Sequence, residues 1–79
     1  MIISDTQLQI YVIYENPREL PRPGFVTRMW IIEATGEQRP SLWATVTNTI
    51  EEARSTVPDG LYRLDRSPDD DPVIVESWL

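Results

Sequence analysis

Two period-2 stretches constrain this chain more than any other feature. Leu8, Ile10, Val12 and Tyr14 alternate with Gln9, Tyr11, Ile13 and Glu15, in a run rich in β-branched and aromatic residues. Successive side chains of a strand point to opposite faces, so the pattern predicts a first strand over Gln7 to Tyr14. Phe25 to Glu33 reads as a second. It places Phe25, Thr27, Met29 and Ile31 on one face and Val26, Arg28, Trp30 and Ile32 on the other. Large apolar groups on both faces suit a central strand, or one whose outer face is covered by a loop or a second subunit. Between the two runs, Pro17, Pro21 and Pro23 lack the amide a ladder needs, and Gly24 closes the segment, which reads as an extended loop or sheet-edge stretch.

Downstream the period changes once. Thr35-Gly36-Glu37 reads as a turn, and Leu42 to Val46 as a third strand. Asn48 and Glu51 then stand at the spacing of a capping box, and Ile50, Ala53 and Val57 share one helical face. Pro58-Asp59-Gly60 ends that helix after two to three turns, too short to stand without packing on a sheet. Leu61 to Leu64 reads as a fourth strand and Val73 to Leu79 as a fifth. In the fifth, Val73, Val75 and Leu79 fall on one face and Ile74, Glu76 and Trp78 on the other. The expected fold is a small single α+β domain over residues 1–79. Its order is β-β-β-α-β-β, an antiparallel sheet of about five strands with one short helix on one face. The uncovered face is where Trp30, Tyr11 or Trp78 would form a functional surface.

Composition narrows the chemistry. The 79 residues include 13 Asp or Glu and seven Arg, with no lysine, histidine or cysteine. The usual activating bases, thiol nucleophiles and soft metal ligands are therefore missing, and a nucleophilic Ser or Thr has nothing ordinary to activate it. Glycine-rich phosphate loops and the G-x-S-x-G elbow are also lacking. The expectation is a non-catalytic protein without a cofactor. A core this small supplies only a few kcal/mol, so a homodimer is one way to bury more. No run approaches the roughly 20 apolar residues of a membrane span, and Met1-Ile2-Ile3-Ser4-Asp5 does not resemble a signal peptide, which points to a soluble cytoplasmic protein.

The net charge of −6 argues against nucleic acid or an anionic membrane as direct ligand, because phosphate contacts need facing cations. Arg18, Arg22, Arg28, Arg39, Arg54, Arg63 and Arg66 are scattered and read as surface ion pairs. The carboxylates are not evenly spread: Asp59, Asp65, Asp69, Asp70, Asp71 and Glu76 crowd one segment against Arg63 and Arg66 alone. That segment lacks the alternating ligands, glycine and closing glutamate of a calcium loop, so no metal is assigned to it. A pair of these carboxylates acting as acid and base would need a cleft that a domain of this size seldom encloses. As a surface, the six form a negative strip suited to a basic partner.

A resemblance adds to this reading. Ile10-Tyr11-Val12-Ile13-Tyr14, Glu51-Glu52-Ala53-Arg54, Pro58-Asp59-Gly60-Leu61-Tyr62-Arg63-Leu64 and Ser67-Pro68-Asp69-Asp70-Asp71-Pro72-Val73-Ile74-Val75-Glu76 resemble small uncharacterised proteins of phages and prophages. In general character the chain is similar to anti-CRISPR-type inhibitors, some of which imitate nucleic acid. No residue roles come with that likeness. It implies an acidic inhibitor in the bacterial cytoplasm that binds the basic, nucleic-acid-binding surface of a defence complex; the local charge excess makes Asp59, Asp65, Asp69, Asp70, Asp71 and Glu76 the expected contact. The alternative is a homodimeric interaction module using an aromatic sheet face, and behind it a minimal carboxylate enzyme.

Overall fold

The computed structural model describes residues 7–18, 20–66 and 71–79. Strands β1 (Gln7–Glu15), β2 (Phe25–Glu33) and β3 (Gln38–Thr47) precede helix α1 (Ile50–Ser55), and β4 (Arg63–Asp65) and β5 (Ile74–Trp78) follow it. All pairs are antiparallel, in the spatial order β3-β2-β1-β5-β4. The expected element order and α+β class therefore hold, with β1 at the centre and β5 inserted between β1 and β4.

β1 and β2 pair without interruption from Gln7↔Glu33 to Glu15↔Phe25. Asn16 closes the proline-rich connection at its base. Its backbone turns left-handed, at φ 49, while its amide donates to the Gly24 carbonyl and its side-chain oxygen accepts from the Gly24 amide. That double bond holds the loop ends together where prolines cannot donate.

The third strand is longer than its apolar run. The turn at Gly36, whose φ of +88 suits glycine, pairs Ile32 with Gln38 and carries the ladder through polar Gln38 and Arg39. A bulge between Arg28 and Trp30 absorbs the segment after Pro40. Proline is tolerated there because β3 is an edge strand. At the other side of the sheet the fourth strand starts later than expected. Leu61 turns inward to the core instead, and Tyr62 exchanges two backbone hydrogen bonds with Leu79.

The helix cap shifts by one residue from the sequence reading. Thr49, in extended geometry, accepts from the Glu52 amide at 3.1 Å as the N-cap and donates its hydroxyl to the Glu52 carboxylate at 3.2 Å. Asn48 is drawn away by Arg22, whose guanidinium donates to its Oδ1 at 2.8 Å. Ile13, Ala53 and Val57 form the core, with Tyr11, Phe25, Ile50, Leu61, Val75 and Trp78 packed around them. Thr27, fully buried, directs its hydroxyl toward the Ala53 carbonyl. Among the described residues no helix is long and apolar enough to cross a membrane.

Candidate interaction surfaces

The sheet has two unlike faces. On the α1 side, Tyr11, Ile13, Phe25 and Trp78 contribute to the core. Tyr11 and Trp78, expected as candidates for an open surface, belong here. Tyr11 also meets Trp43 edge to face at 5.5 Å. The other face carries Ile10, Val12, Tyr14, Val26, Arg28, Trp30 and Ile32; Val12 and Val26 are buried there, the rest are partly exposed, and among the described residues no helix covers it.

A bulge settles the faces of β5. Ile13 pairs with Glu76 but Tyr14 pairs with Ile74, so Val75 is an extra residue. Ile74 thereby joins Tyr14 on the open face while Glu76 and Trp78 stay with Ile13. Strict alternation put Ile74, Glu76 and Trp78 together, and the inserted residue separates them.

Glu76 is consequently not part of an exposed negative strip. It is 4% exposed, and its carboxylate accepts from Arg54 Nη2 at 2.9 Å, Arg54 Nε at 3.1 Å and Trp78 Nε1 at 2.7 Å. Burial pushes its pKa up, but the hydrogen bonds from Arg54 and Trp78, with the charges of Arg54 and Arg63, outweigh this and hold the carboxyl below its ordinary value. The Arg54 guanidinium is correspondingly raised by the hydrogen bond and charge of Glu76. A buried acid held by a two-pronged arginine and an indole N–H ties α1 to β5. A partner could reach it only by unfolding that contact.

The other carboxylates are dispersed. Asp59 is exposed in the turn after α1, beside Gly60 at φ +87. Asp65 is exposed at the end of β4, with Arg63 at 3.4 Å. Asp71 is exposed, its carboxylate accepting from the Val73 amide and its carbonyl from the Ile74 amide. Asp69 and Asp70 lie outside the described residues.

On the open face, Trp30 Nε1 donates to the Tyr14 hydroxyl at 2.9 Å, fixing both rings. Beside them runs a groove of about 760 Å³, walled by Pro17 and Arg18 of the proline loop, Arg28 of β2, and Asp71, Pro72 and Val73 before β5. It adjoins a shallower hollow of about 250 Å³ that shares Tyr14 and Trp30 and continues over Ile10, Ile32 and Ile74. The arginines are not equivalent. Arg22 bonds Asn48, Arg39 pairs with Glu33, Arg54 with Glu76 and Arg63 with Asp65. Among the described residues, no hydrogen bond or ion pair engages Arg18 or Arg28, and both line the groove. Sequence reasoning passed over them as scattered surface charges. The available signal was the even-numbered register that sets Arg28 beside Trp30.

No family model, curated protein or solved structure matches the chain.

Proposed function

We propose that this protein is a non-catalytic protein-interaction module that engages its partner through the open sheet face, with Trp30 at the centre of the contact. The observation that carries the reading is the contrast between faces. One is filled by α1 and the core, while the other presents partly exposed aliphatics around an aromatic pair already fixed by a hydrogen bond. Rigid aromatic anchors in an apolar depression are what a binding hot spot requires, and a contiguous, partly exposed apolar patch is the usual mark of an interaction site.

The exposure of Asp59, Asp65 and Asp71 in a chain of net charge −6 favours a second reading. In it the protein is an acidic inhibitor of phage type, anti-CRISPR-like, that occupies a basic nucleic-acid-binding surface of a bacterial defence complex. The two separate in one experiment. Wild type, Ile32→Asp and the triple variant Asp59→Asn, Asp65→Asn, Asp71→Asn are immobilised and challenged with bacterial lysate, after thermal melts have shown each to be folded. Species lost only with Ile32→Asp support the sheet-face reading. Species lost only with the triple variant, and eluted by salt, support the acidic one. Identical retention by all three baits sinks both. Sedimentation velocity of the isolated protein tells a second copy of this chain from a foreign partner.

A further inference from the structure

Two guanidinium groups that have no bonded partner among the described residues line one groove in a protein otherwise dominated by carboxylates. Among the described residues that line it, Arg18 and Arg28 face a single carboxylate, Asp71, which already accepts the Val73 amide. We infer that this groove is the recognition site for an extended peptide segment of a partner protein. That segment carries one acidic residue at the Arg18/Arg28 end, followed by apolar side chains laid along Trp30, Ile32 and Ile10.

The shape selects a chain rather than an enclosed small molecule. The groove and the adjoining hollow are open along their length and share Tyr14 and Trp30, whereas a small-ligand site buries most of its occupant. From Tyr14 back to Ile10 the lining spans five residues of β1, four steps or about 13 Å at strand rise, which matches about five residues of extended peptide. Its chemistry is graded in the same direction. The strand register orders the lining: Pro17, Arg18 and Val73 lie beyond Tyr14 and Ile74, Arg28 stands beside Val12, Trp30 beside Ile10, and Ile32 one step further on.

Charge limits how acidic the ligand can be. Arginine suits a carboxylate because its fork can meet both oxygens. A polyanion running past the groove would meet exposed Glu15 and the field of a protein at −6. A single carboxylate stays within reach of the two arginines, and screening removes the more distant repulsion within about 8 Å at physiological salt. An acidic peptide is therefore favoured over single-stranded nucleic acid, although the aromatic pair could stack on bases.

The inference rests on the open face being the contact surface, and its test separates the two ideas. The probes are a capped hexapeptide of one aspartate followed by alternating valine and serine, its asparagine counterpart, and an oligothymidylate of similar contour length. Each is titrated into labelled protein while the backbone amides and the Trp30 indole N–H resonance are followed. The expected result is that the aspartate peptide shifts Trp30 and Tyr14 and binds about tenfold tighter than the asparagine one. That preference should vanish in Arg28→Gln and shrink in Arg18→Gln, two variants that remove no internal bond. Equal affinity for both peptides, with Ile32→Asp abolishing both, overturns the acidic specificity and leaves the face intact. No response to either peptide, while the lysate bait still depends on Ile32, likewise overturns the ligand class alone. Tighter binding of the oligothymidylate overturns it in favour of nucleic acid.

Discussion

The two sides of the sheet are built from the same two central strands yet are finished differently. On the α1 side the groups beneath the helix have fixed neighbours: Ile13 is fully buried, Thr27 points at a helix carbonyl, and Glu76 is gripped by Arg54 and Trp78. On the far side Ile10, Trp30 and Ile32 remain half-exposed, and Arg28 has no bonded partner among the described residues. A six-residue helix can cover only part of one face, so the chain invests its specific contacts there. What is left over on the other side, among the described residues, is a partly exposed apolar strip with Arg18, Arg28 and Asp71 at its margin. On our proposal, folding and recognition fall to opposite faces of one thin layer.

Substitutions at matched positions test that division. The largest effect is expected from Ile13→Ala, which opens a cavity under α1 and should remove about 3–4 kcal/mol of stability. Ile10→Ala, on the same strand but the open face, should cost about 1 kcal/mol, because its side chain is only partly removed from water. Denaturant unfolding of the two variants makes the comparison, and equal losses would mean that the open face is as structural as the closed one.

Acid should act through the closed face as well. Because the Glu76 carboxyl is held below its ordinary value of about 4.5, the folded state takes up its proton less readily than the unfolded chain. Its contribution is fully present above that value and is lost as pH falls through the lower folded pKa. Glu76→Gln should cost roughly 1–2 kcal/mol at neutral pH. Its stability should also fall less steeply than that of wild type below about pH 4.5. Parallel acid profiles would deny Glu76 this role.

The smallest expected effect lies at the helix start. Thr49→Ala should lower stability by about 1 kcal/mol, while Asn48→Ala, which loses only an exposed bond to Arg22, should change it by less than about 0.5 kcal/mol. Thermal melts that reverse this order would return the cap to Asn48.

These elements also show how far the sequence could be read. The faces of β1 and β2 follow from period-2 alternation, because an uninterrupted ladder preserves it from Gln7↔Glu33 to Glu15↔Phe25. The faces of β5 do not, because one extra residue at Val75 reverses everything upstream of it, and no local propensity marks a bulge. β3 was underestimated since Gln38 and Arg39 are strand only by virtue of the hairpin that precedes them. Glu76 shows a third kind of failure. A glutamate on a terminal strand looks solvated until Arg54, 22 residues away, is folded against it. The groove was hidden for a similar reason, since Arg18, Arg28 and Val73 come together only when three separate segments converge.

The position of β5 between β1 and β4 bears on how the protein is made. A ribosome releases β1, β2 and β3 first, and these can zip together as consecutive hairpins with short loop closures. Until Ile74–Trp78 emerges, however, the outer edge of β1 has no neighbour, and it lies along Tyr11, Val12, Ile13 and Tyr14, among the most apolar residues of the chain. An unpaired edge of that composition is an invitation to another nascent chain. β5, which follows the other four described strands in the chain, is the one that retires this hazard, so a ribosome stalled before residue 74 holds a half-built sheet with its stickiest border open.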